Sequence, residues 1–590
     1  TGITDISPVI NSFFHHFSSR KTYVIARVKS ICFPLLLFYT INTKFSNFCC
    51  EVFLEEKKTI STLRKIVLFS SCFLLGVLFF ITIFGVKNIN PLDTIWVKYG
   101  GGDNFQHYIG WRFFREFPWT RYFLFMRNLN YPVGSSVIIT DSNPLLCAFF
   151  KLFRNVLPPE FQFNGIWLTL CFGLQGLFSA LIAFKITENS IFSILFSAFA
   201  ILNPVILQRA AIHDTLAAHW LILFAIFNAI NWNKKWNSIA WILNIILVMM
   251  VHIYFLPMIG LIFLLQMIRM IQKQIAWWKI VKTCLFVILT IFVCYFLLGY
   301  QYIQPETTSF GELSMNLNAF INPDGTSSLL SDRSTFPLQY EGFNYWGLGL
   351  ICLFLLSLLF LSGKIIKNSW IYFVVCIIYL IIPLSNHITW DNHVLLSFPL
   401  PENILSKLSI FRSSGRLSWP FYYLALLTSF VLFSRYAKKN KKFRPIFTAI
   451  VTLCFVIQII DFSDFILSYQ NRFHQITDRE VATQLSQDQW NDIFENVEHL
   501  AITEGDSKII DAFALMAIEN KITFNRSANA RGIKNIFGGE NIPISELILT
   551  KKFEAKTIYI LLDQETISVA EKNWEGNICE LDGIKYFIFP

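Results

Sequence analysis

The chain predicts an α-helical polytopic membrane protein with about eleven spans and a small C-terminal α/β domain. Three observations carry this expectation. Of 590 residues, 54% are hydrophobic and only 15% charged, and the mean hydropathy is +0.50, too apolar for a water-soluble fold of this length. Apolar runs close to the length of a membrane crossing recur through most of the sequence. From about Phe465 onward they give way to short, mixed polar and apolar segments typical of a soluble fold.

The expected spans are Ile66 to Val86, Phe161 to Phe184, Ile191 to Leu207, Leu216 to Ile230, Ile239 to Tyr254, Leu256 to Met270 and Thr283 to Gly299. Gly347 to Leu361, Trp370 to Leu384, Leu417 to Phe433 and Ile446 to Ile460 follow. Alternate loops carry the basic residues: Lys57, Lys58, Arg64 and Lys65, then Lys185, Lys234 with Lys235, Arg269 to Lys282, Lys364 with Lys367, and a block from Arg435 to Arg444. That asymmetry places these loops and the N-terminal end in the cytoplasm and the tail on the opposite side. The net charge of +10 therefore reflects membrane topology and does not point to nucleic acid, because its largest block sits between two spans.

Three regions follow. Residues 1–56 read as a leader of undetermined role, whose Ile31 to Ile41 stretch is too short to cross about 30 Å of hydrocarbon. Residues 57–464 form the transmembrane region, with long outer loops at 87–160, 301–346 and 385–419, and loops of that length are usually functional. Residues 465–590 form the α/β domain, with a helix over Asp478 to Val497, a strand at Leu500 to Thr503 and a helix over Lys508 to Ile518. A buried strand at Thr557 to Leu562 and a hairpin over Cys579 to Phe589, turning at Asp582-Gly583, complete it. The tail contains no P-loop, dinucleotide fingerprint or nucleophile elbow.

Charged groups are scarce within the spans, where only His252 and amides such as Gln175, Asn244 and Gln458 fall, so the polar chemistry is expected at the outer face. His252 reads as a satisfied interfacial histidine. The first outer loop holds Gly100-Gly101-Gly102-Asp103, followed by an apolar stripe of Phe105, Ile109 and Phe113 at helical spacing, which predicts a helix lying along the membrane surface. On it Asp103 and His107 share a face, and Asp103 is equally a general base or, with Gln106 three residues on, a helix cap. Asp141, just before Asn143-Pro144, reads first as a cap. Arg412 and Arg416, four apart outside a span, suit a phosphate at headgroup depth or simple headgroup contact. Arg209, His213, Asp214 and His219 form a second polar cluster, and neither group shows metal-ligand spacing. The twelve cysteines follow no disulfide or metal pattern and read as packing residues.

These same segments carry a resemblance. Gly101 to Trp111, Tyr131-Pro132-Val133-Gly134, Asp141 to Leu145, Ala210 to Trp220, Gln339 to Phe343 and Phe411 to Pro420 resemble a bacterial family of multi-pass membrane proteins, domain-of-unknown-function family 6311. That family in turn looks like a distant member of the C-type (GT-C) polyprenyl-phosphate-dependent glycosyltransferases. The resemblance runs from about Ile66 to the C-terminus.

It implies a GT-C-like fold in the bacterial inner membrane, with the C-terminal domain periplasmic. The implied activity moves a sugar from a polyprenyl-phosphate-linked donor to a saccharide or lipid acceptor. Asp103 would be the catalytic base, Arg412 or Arg416 would stabilise the departing phosphate, and His107, Asp141, Arg209, His213 and Glu341 would bind substrate. No cofactor is named. Asp103-Asn104 stands where an Asp-Glu pair would be expected, which leaves use of a divalent metal open. The alternatives are a transporter or flippase of lipid-linked saccharides, and a non-enzymatic envelope-assembly protein whose tail binds partners.

Overall fold

The computed structural model describes residues 57–304, 310–439, 441–476, 485–527 and 531–590, so the expected leader lies outside it. Helix dominates. Among the described residues six helices are long and apolar enough to cross a membrane: Thr62–Phe84, Asn164–Thr187, Phe255–Gln272, Trp277–Leu297, Ser414–Lys439 and Arg444–Asp461. A seventh crossing arises if Ser190–Ile201 and Pro204–Ile212, bent by 43° at their junction, act as one span. The bend has a local cause, since Pro204 has no N–H to continue the first helix, while the Asn203 side chain accepts from Val205 N at 2.9 Å and restarts the second.

The other expected spans are helical but short: Trp220–Ile230 and Leu348–Leu358 have 11 residues, Trp370–Ile381 has 12 and Asn237–Val251 has 15. At about 1.5 Å per residue, none of these reaches across a hydrocarbon core of about 30 Å unaided. Helix length thus supports six or seven crossings in place of the eleven read from hydropathy.

The expected surface helix forms at Asn104–Glu116, but it is buried on nearly every side, including His107, Trp111, Arg112 and Phe113. The stripe at helical spacing located the helix, and neighbours that the stripe did not reveal enclose it. Gly102 shows how closely they pack: it adopts φ +73°, and an added Cβ would lie 2.5 Å from Ile212 Cα.

In the tail a five-stranded sheet runs in the order Cys579–Leu581, Ile584–Phe589, Thr557–Leu561, His499–Ile502, Thr523–Phe524. His499–Ile502 is parallel to both of its neighbours, and the remaining pairs are antiparallel. The hairpin turns at Asp582-Gly583, both with positive φ, and the Thr557–Leu561 strand is wholly buried. Helices Gln487–Phe494, Ser507–Glu519 and Gln564–Asn573 accompany the sheet. Residues of the first long loop continue it at one edge, where Phe524 N donates to Asn128 O and Tyr131 N donates to Phe524 O, both at 2.9 Å. Ile303–Gln304 pairs with Gly532–Ile533, so the tail is stitched to two of the long loops.

At the far end of the Arg444–Asp461 helix, two polar side chains organise the start of Leu348–Leu358. Asp461 accepts from Leu348 N and the Tyr345 hydroxyl, both at 2.8 Å, and from Ser327. Gln458 accepts from Leu350 N and donates to Trp346 O, again at 2.8 Å. Together they satisfy the first amides of a helix that has no cap of its own. Asp461→Ala should lower stability by about 2–4 kcal/mol, because buried donors lose a charged acceptor. Thermal unfolding in detergent micelles measures it; an unchanged midpoint would sink this assignment.

Candidate functional site

The site is built where three helix ends and two long loops converge. The approach of Gly102 to Ile212 lets Asp103 N donate to Ile212 O at 2.7 Å and Asn104 Nδ2 donate to Ala211 O at 3.0 Å. Asn104 Oδ1 in turn accepts from Asp214 N at 3.1 Å. The start of the Asn104–Glu116 helix is therefore clamped to the end of Pro204–Ile212. Asp103 stands at the N-cap position, but its carboxylate makes no cap hydrogen bond, and it has no ion pair or hydrogen bond among the described residues. The carboxylate is open to solvent at its tip yet crowded by protein, which pushes its pKa above the ordinary aspartate value, while His107 pulls the other way. Of the two sequence readings, the cap is not the one observed.

His107 is held from behind. Its Nδ1 lies 2.5 Å from Asp214 Oδ1, and Asp214 Oδ2 accepts from Asn164 Nδ2 at 2.7 Å. Trp167 Nε1 donates to the Asp214 carbonyl at 3.1 Å and fixes the backbone. Burial opposes charge on the ring, but Asp214 outweighs it and His107 is shifted upward. Its Nε2 is buried without a partner, and the ring meets His213 edge-on at 4.5 Å.

Asp141 is not a cap either. Asn143 takes that role, accepting from Leu146 N at 3.3 Å, and Asp141, at φ +52°, turns its carboxylate into the site. Its two oxygens face two histidines: Oδ2 lies 3.6 Å from His213 Nε2, and Oδ1 lies 3.4 Å from His252 Nε2. Burial would raise the Asp141 pKa, but His252 and His213 hold it well below the usual value. His252 is thus no satisfied interfacial histidine: it is buried, and its Nε2 has no partner in hydrogen-bond geometry. Asp141, His213 and His252 offer three ligand atoms within 4.8 Å of one another, the donor set in the site suited to a metal ion.

A third group completes the cluster. Glu341 accepts from Arg416 through both oxygens, at 2.8 Å from Nε and from Nη2, and from Arg209 Nη2 at 2.9 Å. Gly342 and Gly415 make this contact, since a Cβ on Gly415 would stand 2.5 Å from Gly342 Cα. Despite its burial, Glu341 is held far below an ordinary glutamate by the two guanidiniums. Arg209 also lies 5.5 Å over the Trp419 ring and Arg416 lies 5.0 Å over Tyr254, which orients both cations. Fields from His107, Asp141, Glu341 and Arg416 all reach Asp103.

Of the sequence candidates, Asp103, His107, Asp141, Arg209, His213, Glu341 and Arg416 therefore share one site. Arg416 joins Arg209 on Glu341, while Arg412 sits half-buried at the preceding turn. Sequence reasoning named His252 but missed its place beside Asp141. It also missed Arg531, a tail residue that donates to Ile410 O at 3.3 Å and lies 5.8 Å over Tyr254. Asp214 was visible in the cluster, but its role behind His107 emerges only from the fold.

A search of curated proteins finds no match to this chain. A family match does exist, and it spans the clamped helix, the bent helix pair, the Glu341 loop and the Arg416 turn, covering residues 73–463. The chain belongs to the family described as Domain of unknown function (DUF6311).

Proposed function

We propose that the protein is a membrane glycosyltransferase that moves a sugar from a polyprenyl-phosphate carrier to a hydroxyl of a saccharide or lipid acceptor, on the periplasmic side of the bacterial inner membrane. The observation that carries this reading is the Asp103 carboxylate: it is unengaged, its backbone is fixed, and it stands beside a pair of buried guanidiniums. A free carboxylate of raised pKa suits a general base toward an acceptor hydroxyl. Arg209 and Arg416, sharing one glutamate, retain positive charge for a departing phosphate. His107, backed by Asp214, presents its unpartnered Nε2 within the same cluster and suits contact with sugar hydroxyls or the phosphate. In this reading the C-terminal sheet and helices form a periplasmic α/β domain.

The bent pair Ser190–Ile201 and Pro204–Ile212 favours a second reading, a flippase of lipid-linked saccharides, because broken helices with polar ends often line transport pathways. The two readings differ in product. A transferase makes a new glycosidic bond, whereas a flippase only relocates its substrate.

Proteoliposomes supplied with radiolabelled polyprenyl-phosphate sugars and candidate acceptors separate them. Transfer by the intact protein, reduced by about 10²–10⁴-fold in Asp103→Asn at equal expression and melting temperature, is expected for loss of a general base. Translocation without new product in both proteins would replace the transferase by the flippase. A base must be ionised to act, and crowding raises the Asp103 pKa. The acidic limb of kcat/KM should therefore lie above the pH at which an ordinary aspartate titrates, with activity falling as pH drops through it. A limb at or below the ordinary aspartate value would remove Asp103 from the role of base.

A further inference from the structure

The three groups Asp141, His213 and His252 come from different parts of the chain: a loop, the end of Pro204–Ile212 and the end of Asn237–Val251. Their separations are unusual. An ordinary N–H···O hydrogen bond between imidazole and carboxylate spans about 2.7–3.2 Å, and both contacts here are longer, 3.4 and 3.6 Å. Ligand atoms on a tetrahedral zinc with bonds of about 2.0–2.1 Å stand about 3.3–3.4 Å apart; the two contacts here run to different oxygens of Asp141, and one ligand atom from each of the three residues can be chosen with all within 4.8 Å of one another. The two histidine nitrogens converge on the two oxygens of one carboxylate, and the His252 Nε2 is buried without a hydrogen-bond partner.

The flanking contact of His213 fits this site. His213 Nδ1 lies 3.1 Å from Thr215 Oγ1, a hydroxyl able to accept from the Nδ1–H tautomer, which leaves the Nε2 lone pair facing Asp141. The competing arrangement places the His252 proton on Nε2, with Nδ1 accepting from Tyr254 N at 3.3 Å. It leaves that buried proton without an acceptor in hydrogen-bond geometry.

We propose that Asp141, His213 and His252 bind a divalent transition metal of the zinc class, through one carboxylate oxygen and two imidazole Nε2 atoms, with a fourth position open to water or a ligand oxygen. Two histidines, one carboxylate and an open position form a donor set that zinc accepts. The proposal stands on these three residues and their neighbours, and holds whichever substrate the site takes.

The test uses the full chain, purified in detergent through a tag free of histidine and stripped with chelator. Zn²⁺ is titrated calorimetrically, and Co²⁺ by its visible absorption, whose intense bands report four-coordinate geometry. One equivalent with those bands is expected for the intact protein, and Asp141→Asn and His252→Ala should each bind at least about 100-fold more weakly. Should either variant fail to fold, Thr215→Val keeps all three ligands and should weaken Zn²⁺ by about tenfold. No tight equivalent in the intact protein, or equal affinity in intact protein and folded variants, would overturn the site.

Discussion

Glu341, gripped by Arg209 and Arg416, is the interaction on which the arrangement of the site depends. It joins the end of a bent helix pair, a long loop and the turn that precedes the Trp419 helix, three segments distant in sequence. Buried ions are costly to desolvate, and such a triad contributes less net stability than its distances suggest. Its effect is on specificity, because any arrangement that parts Glu341 from the two guanidiniums leaves charges unpaired in an enclosed place. The Gly342–Gly415 contact belongs to the same constraint: without side chains there, the two backbones come close enough for a bidentate hold.

The apolar frame is stiffened by a different class of contact. Tyr423 is a hub whose hydroxyl meets Gln175 Nε2 and His219 Nδ1, each at 2.9 Å, and Asn203 Nδ2 at 3.3 Å. Gln266 bridges Trp241 and Asn237 in the same manner. In an apolar surrounding an unsatisfied amide is expensive, so each such group locks two or three helices in a single register. His107 Nε2, His252 Nε2 and Arg209 Nε, among the buried atoms without a hydrogen-bond partner, lie together in the site.

The tail is part of this architecture. Its sheet is extended by the first long loop, Tyr131 stacks on His499 with ring centres 4.4 Å apart, and Arg531 inserts beside Tyr254 at the edge of the cluster. Tyr254 therefore lies between two guanidiniums, those of Arg416 and Arg531, and its hydroxyl accepts from Ser413 N at 2.9 Å. The segment from Ser413 to Arg416 is held from both sides, which couples tail docking to the position of Arg416.

The sequence alone determined whatever follows from local pattern. Apolar runs located the helices, the 3.6-residue stripe of Phe105, Ile109 and Phe113 located Asn104–Glu116, and alternation with Asp582-Gly583 located the final hairpin. Glycines, carboxylates and arginines outside apolar runs marked Asp103 and Arg416 as candidates, because charge at the ends of apolar helices needs a reason, and the family resemblance added Glu341. Hydropathy read eleven crossings where six described helices, or seven with the bent pair, have the length and apolarity to span, since a short buried helix and a short lipid-facing helix read alike in one dimension. Only the tertiary structure decided which groups meet. Asp141 and Asn143 are both credible caps from spacing, and a left-handed turn at Asp141 frees it for His213 and His252. Arg531 had no sequence signal and His252 had only its place in an apolar run, because an ionisable side chain acquires its role from partners hundreds of ångströms of extended chain away, brought within reach by packing.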